Sequence, residues 1–172
     1  MIAYDEYRSP QGTMLIAATQ KGLAGVYFKG QKHFPQQRPW QRDARHPVLR
    51  QAKRELAEYF AGRRTHFSVA LDPQGTPFQR SVWRQIAKVA FGKTLTYGEL
   101  AKRAGHPGSA RAAGAATGRN PIGIIVPCHR IMGASGSLTG YAGGLERKRA
   151  LLALEGASRP ESPSTPAIAK AA

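Results

Sequence analysis

The sequence predicts two folded parts, an α/β N-terminal part and a mainly α C-terminal part that carries a helix-turn-helix. Three observations predict this division. Short apolar runs with strand-like spacing fill the first thirty residues. Helical spacing dominates from Phe78 onward. Between them lies Asp72-Pro73-Gln74-Gly75-Thr76-Pro77, whose prolines and glycine read as a linker. A chain of 172 residues has room for one domain or two small ones. The expected boundaries are 1–71 for the N-terminal domain, 72–77 for the linker, 78–156 for the C-terminal domain and 157–172 for a disordered tail.

In the N-terminal part, Gly12–Ala18 follows the turn Ser9-Pro10-Gln11-Gly12, and Gly22–Phe28 follows Gln20-Lys21. The two runs predict a hairpin. Residues 30–45 are polar and proline-rich and read as a loop. From Pro47 to Phe60, Val48, Leu49, Ala52, Leu56, Tyr59 and Phe60 recur at a helical period, and Gly62 stops the helix. His66–Leu71 alternates enough to predict one more strand.

In the C-terminal part, Phe78, Val82, Trp83 and Ile86 share one helical face. Thr96 is an N-cap candidate with Glu99 as its capping-box partner. Gly105-His106-Pro107-Gly108 is a turn, and Ser109 is expected to cap a small-residue helix running to about Thr117. Helix, tight turn and helix form the helix-turn-helix pattern, which ordinary helical hairpins share. Ile122–Val126 predicts a buried strand. Gly133–Gly144 is glycine-rich, and Leu145–Leu154 is a terminal helix anchored by Leu145, Leu151, Leu152 and Leu154 and stopped by Gly156. The tail after it is rich in Pro, Ser and Ala.

Composition narrows the function. The net charge of +16 favours a polyanionic partner, most often nucleic acid. An anionic membrane surface fits less well, because no stretch joins a basic face to a strong apolar one. No segment approaches the ~20 apolar residues of a membrane span, and the N-terminus lacks a secretory pattern. The single cysteine allows no internal disulfide, so nothing calls for an oxidising compartment and a cytoplasmic location is expected. The five histidines are scattered without metal-ligand spacing. No metal and no cofactor are expected, since dinucleotide and phosphate-loop fingerprints are also missing.

That cysteine, Cys128, sits in Pro127-Cys128-His129-Arg130 at the end of an apolar run. Free cysteine often packs as a small hydrophobe. A thiol with an imidazole beside it also suits nucleophilic catalysis, provided the thiol is deprotonated. Adjacent residues on a strand face opposite sides, so contact between Cys128 and His129 needs a bend or a bridging water.

The ordered set Phe78-Gln79, Val82-Trp83, Thr96-Tyr97-Gly98, Ala110-Arg111-Ala112, Asn120-Pro121-Ile122, the Cys128 motif and Gly140-Tyr141-Ala142-Gly143-Gly144-Leu145 resembles the O6-alkylguanine-DNA alkyltransferase family. The likeness runs from about Phe78 to Glu155. It continues more loosely in the N-terminal half, through Ser9–Gly12, Gly22-Leu23 and Tyr59-Phe60-Ala61-Gly62.

The resemblance implies a ribonuclease-H-like N-terminal domain and a winged-helix-like C-terminal domain. It implies direct, irreversible, single-turnover transfer of an alkyl group from O6 of guanine in double-stranded DNA to Cys128, with O4-alkylthymine left open as a second substrate. His129 would take the thiol proton through a water, oriented by Glu155. Tyr97 would donate toward N3 of the leaving base. Asn120 would tie the turn to the active-site segment. Arg111 would enter the base stack when the damaged nucleotide rotates out, on a helix kept thin by Ala110, Ala112 and Gly114. Ile131, Tyr141 and Ala142 would line the base pocket, with backbone groups of Cys128, Ile131 and Ala142 reading the base edge. A monomer is expected, with cooperative binding on DNA left open.

Three rival readings each require something else. A non-catalytic damage-binding relative would lack the cysteine. A transcriptional regulator would need a dimerisation element. A thiol hydrolase would leave the Arg111 helix and the positive charge idle.

Overall fold

The computed structural model describes residues 1–36 and 39–157. The expected disordered tail lies outside the described residues, apart from Ala157. Contacts divide the chain into two compact units, one of residues 1–74 with 121–125 and one that holds residues 75–120 and continues from Val126.

The first unit is a four-stranded sheet with one helix. The strands are β1 (Ala3–Ser9), β2 (Gly12–Ala18), β3 (Leu23–Phe28) and β4 (Gln41–Arg42), ordered β3-β2-β1-β4. The predicted β2–β3 hairpin is present and antiparallel, with Met14 opposite Phe28. The run read as a loop contains the short β4, which joins the far edge parallel to β1. Helix α1 (Pro47–Phe60) packs on the sheet through Leu49, Ala52, Leu56 and Tyr59, the apolar stripe its periodicity predicts. Pro47 sits in its first turn and His46 caps it by accepting from the Val48 N–H. Gly62, at φ +76°, takes the left-handed conformation after its end.

His66–Leu71 does not form the expected strand. The N–H groups of Ser68 and Val69 both go to the buried Glu55 carboxylate, at 2.8 and 3.2 Å, so a side chain takes donors that a ladder would need. Only Leu71 bridges to Leu23. Ile122 bridges to Val26 in the same way, so the start and the middle of the β3 edge are covered.

Ile122–Val126 is not a strand either. Ile124 has φ +67°, a conformation that a β-branched residue rarely adopts and that costs about 1–3 kcal/mol. The chain then bends through tight bonds, from the Ile125 N–H to Gly123 O at 2.7 Å and from the Cys128 N–H to Val126 O at 2.8 Å.

The second unit holds α2 (Pro77–Ala87), β5 (Leu95–Thr96), α3 (Tyr97–Arg103), α4 (Ala110–Gly118), a 3-10 turn (Cys128–Arg130), β6 (Ile131–Met132) and α5 (Leu145–Leu154). A capping box of Thr76 and Gln79 starts α2 directly out of the segment read as a linker. Val82, Trp83 and Ile86 are buried, and Trp83 Nε1 donates to Ala116 O at 2.8 Å, fastening α2 to α4. Thr96 caps α3 as expected, by accepting from the Glu99 N–H. The Glu99 carboxylate, expected to complete a capping box, pairs with Arg103. Ser109 precedes α4 but makes no side-chain cap bond. Parallel pairing of β5 with β6 places Leu95 opposite Ile131, next to the turn that carries Cys128.

Two of the four anchors expected for α5, Leu151 and Leu152, are buried; Leu145 and Leu154 are exposed. Lys148 and Glu155 occupy the buried face in their place.

Candidate active site

Cys128 opens the 3-10 turn and is 8% exposed. The chain bends here, and no hydrogen bond joins the Cys128 sulfur to the His129 ring. Backbone N–H groups of Cys128 and His129 face the sulfur, as does the Asn120 side chain. Asn120 Nδ2 also donates to Val126 O at 2.8 Å, which ties the end of α4 to the residue two before the cysteine. Burial pushes the Cys128 thiol up from its ordinary value, while Asn120, the Lys148 charge and the two N–H groups oppose it. These groups favour the thiolate once water is displaced and the proton has somewhere to go.

His129 is fully buried. Its Nε2 lies 2.7 Å from Glu155 Oε2. Glu155 also receives Arg130 bidentately, Nε to Oε1 at 2.8 Å and Nη2 to Oε2 at 2.9 Å. A carboxylate held this way is an acceptor, so Nε2 of His129 carries the proton and Nδ1 carries a lone pair. Burial pulls the His129 pKa below its ordinary value and the Glu155 bond offsets this in part, which leaves a neutral imidazole near pH 7. Nδ1 is buried without a hydrogen-bond partner among the described residues. A buried orphan acceptor is rare in folded proteins.

Glu155 at the end of α5 is thereby explained. A carboxylate is unfavourable at a helix C-terminus, and here two cationic or N–H donor side chains hold it. Arg130 completes the arrangement by donating Nη1 to Val89 O at 2.6 Å and by placing its guanidinium over the Phe91 ring.

The two phenols lie close enough to Cys128 for a charge on its sulfur to raise their pKa values. Tyr97, at the start of α3, donates its Oη to Thr139 O at 3.4 Å. Burial raises its pKa, so it stays a protonated donor. Tyr141 is half-buried, with its ring edge-on to His129 at 6.5 Å, and burial raises its pKa well above the ordinary value. Ala142 is half-buried beside it. The backbone of Ile131 is already engaged, its N–H on Cys128 O and its carbonyl on Lys148 Nζ at 2.6 Å.

On α4, Ala113, Ala116 and Thr117 face inward. Arg111, Ala112, Ala115 and Arg119 are exposed, with Ala110 and Gly114 half-exposed. The outward face is therefore nearly smooth, with one arginine near its N-terminus. The turn and the end of α5 thus bring together Cys128, His129, Asn120 and Glu155. Arg111, Ala110, Ala112 and Gly114 form a separate face.

Sequence reasoning missed the parts played by Arg130 and Lys148. The signal for Lys148 was available. Lys148, Leu151, Leu152 and Glu155 follow the spacing of one helical face, so a charge at each end of an apolar stripe had to be buried or break it. Among the described residues, no group of three His, Cys, Asp or Glu side chains is placed to hold a metal ion.

This arrangement sets the cysteine on a short turn beside a carboxylate-bound imidazole, on a unit that also carries a helix-turn-helix. The family model described as the 6-O-methylguanine DNA methyltransferase DNA-binding domain matches residues 77–157. The one described as the ribonuclease-like domain of the same proteins matches residues 2–73. The methylated-DNA–protein-cysteine methyltransferase of Methanosarcina acetivorans is 48% identical over 154 residues, covering 89% of this chain and 97% of that one. That of Mycobacterium tuberculosis H37Rv is 46% identical over 160 residues, covering 93% and 96%. The crystal structure of the M. tuberculosis O6-methylguanine methyltransferase superposes with a TM-score of 0.82 at 44% identity, covering 96% of this chain and 97% of that one. The M. tuberculosis OGT in complex with DNA gives 0.83 at 45% identity, covering 89% and 92%.

The chain belongs to the 6-O-methylguanine DNA methyltransferase family. It is a DNA-repair methyltransferase in which a protein cysteine receives the methyl group, built as a ribonuclease-like α/β domain and a helical DNA-binding domain.

Proposed function

We propose that Cys128 is the acceptor and that His129, Glu155, Tyr97 and Asn120 carry the transfer. The observation behind this reading is the His129–Glu155 pair, 2.7 Å apart, which leaves the buried Nδ1 as the base beside the only cysteine. The thiol proton passes through a water to Nδ1. Sulfur attacks the alkyl carbon in line, the S–C bond forms, and the C–O6 bond breaks with its electron pair going to the base. The departing guanine anion takes up a proton from water, and Tyr97 Oη turns from Thr139 O to donate a hydrogen bond at N3, which steadies the developing charge. Asn120 and the turn N–H groups hold the thiolate. The thioether product has no good leaving group, so each molecule reacts once.

The target atom lies inside a duplex, so the partner is double-stranded DNA whose alkylated base is rotated out at a cost of a few kcal/mol. Arg111 fills the vacated space. The smooth face of Ala110, Ala112 and Gly114 supports close approach to the sugar-phosphate surface without base-specific readout, which suits damage in any sequence. Ile131, Tyr141 and Ala142 line the pocket for the flipped base. With the Ile131 carbonyl already held by Lys148, only its second lone pair is left for the base edge. The chemistry runs on side chains alone, without cofactor or metal.

The working division remains an N-terminal domain of 1–71 and a catalytic domain of 78–156. The protein acts as a monomer in the cytoplasm, in keeping with a lone cysteine. No helix among the described residues is long and apolar enough to cross a membrane.

Mass spectrometry after incubation with a duplex bearing one O6-methylguanine tests this reading. A stoichiometric gain of one methylene on the Cys128 peptide, absent in Cys128→Ala, is expected. Tight binding without a mass change would indicate a damage sensor instead. An O4-methylthymine duplex in parallel measures the second substrate.

A further inference from the structure

The outward side of α4 carries two arginines, Arg111 and Arg119, so most of the chain's excess positive charge lies elsewhere. Part of it forms a row on α2. Arg80, Arg84 and Lys88, the last at the C-terminal cap, follow one another at intervals of four residues, and all three are exposed. The opposite side of the same helix is buried through Val82, Trp83 and Ile86, and Trp83 fastens it to Ala116 of α4. The row is therefore turned away from α4 and is separate from the face that carries Arg111.

For folding alone the row is poorly placed. Helix α2 contains no acidic residue. None of the three cations has an ion-pair partner among the described residues. Like charges four residues apart on a helix repel each other, and Arg80, near the N-terminal end, also opposes the helix dipole. Helix α3 shows the compensated pattern, with Glu99 four residues before Arg103 and paired to it.

The spacing suits a repeating anion. Four residues advance about 6 Å along a helix, so the three charges make a straight row about 12 Å long. Duplex DNA presents one negative charge per about 1.7 Å of its axis. The exposed residue beside the cations is Ala87, which gives no apolar face of the kind that enters a membrane surface.

We propose that Arg80, Arg84 and Lys88 form a second DNA-contact surface, which holds phosphates of a duplex outside the stretch that lies on α4. The inference rests on the reading of double-stranded DNA as the partner. Contacts to phosphate carry no sequence or damage information, so this surface retains the protein on undamaged DNA and takes no part in the transfer itself.

The test is chemical footprinting of the full-length protein. Arginines are modified with phenylglyoxal and lysines with an acetylating reagent, with and without an undamaged duplex several helical turns long, and the peptides are read by mass spectrometry. Arg80, Arg84 and Lys88 are expected to be protected together with Arg111 and to regain reactivity at high salt. A variant carrying Arg80→Gln, Arg84→Gln and Lys88→Gln is then compared with the wild type. Its plot of log affinity against log salt on the long duplex is expected to be shallower by about 2–3, about 0.9 for each lost phosphate contact. Its melting temperature is expected to be equal or higher, and its methyl transfer from a saturating short O6-methylguanine duplex unchanged. Protection of Arg111 while the three α2 cations stay reactive would overturn the proposal, as would a salt slope equal to that of the wild type. Protection of the row by phosphatidylglycerol vesicles but not by the duplex would overturn it in favour of a membrane surface. A duplex that protected neither Arg111 nor the row would remove the duplex reading beneath the proposal, and the proposal with it.

Discussion

Glu155 accepts the Nε2 proton of His129 at 2.7 Å while two nitrogens of Arg130 grip the same carboxylate. One residue at the end of α5 therefore sets both the tautomer of His129 and the placement of the turn that carries Cys128. Glu155→Ala removes the anion from a buried cluster and leaves Arg130 uncompensated. The expected cost is about 3–5 kcal/mol of stability, read from the denaturant midpoint. Glu155→Gln is milder for folding, yet its amide can donate to Nε2 and so favour the wrong tautomer. Methyl transfer in that variant is expected to slow by about 10²–10⁴-fold, the worth of a positioned general base.

The His129 pKa lies below its ordinary 6.5 in the folded protein, because burial disfavours the imidazolium. The unfolded chain then binds more protons than the folded one as pH falls below 6.5. Stability contributed by this group is present above pH 6.5 and is lost as pH drops toward the folded value. The single-turnover rate is expected to hold its plateau down to pH 6.5 and to fall only below it. A midpoint above 6.5 would show that Glu155 outweighs burial at His129.

Arg111 is exposed on α4. Arg111→Ala is expected to leave the melting temperature unchanged and to slow transfer from duplex DNA by one to two orders of magnitude, about the few kcal/mol that unpairing costs. Transfer from single-stranded DNA or from the free base should be nearly unaffected. Equal losses on paired and unpaired substrates would assign Arg111 to phosphate binding.

Gly114 has ordinary helical backbone, and a methyl group there would sit 3.7 Å from the Tyr97 ring, an ordinary contact. Gly114→Ala is therefore expected to stabilise α4 by about 0.5–1 kcal/mol. If α4 lies against the DNA surface, the same methyl group weakens duplex binding. A variant that melts higher yet binds DNA less tightly would place this half-exposed glycine at the interface. Unchanged affinity would take it away from the DNA.

Much of this molecule is legible in its sequence, for local reasons. The stripe Leu49, Ala52, Leu56, Tyr59 determined α1, because a helical period needs only its own residues. Proline and glycine positions marked the turns, and Thr96 marked the start of α3. A lone cysteine beside a histidine pointed to a nucleophile. The order of motifs after it pointed to the chemistry.

The rest depended on partners distant in the chain. Ser68 and Val69 fail to form a strand because Glu55, more than ten residues away, takes their N–H groups. Ile122–Val126 has the composition of a strand, but Val26 pairs with its start and the left-handed Ile124 turns it. Arg130 and Lys148 have no partner in their own stretches of sequence, and only the meeting of the turn and α5 buries them. Periodicity counts side chains along one element, whereas burying a charge is decided by which donors and acceptors another element brings to it. The sequence by itself determined the class and the helices; only the tertiary structure decided which nitrogen of His129 meets a carboxylate, because that follows from where Glu155 sits.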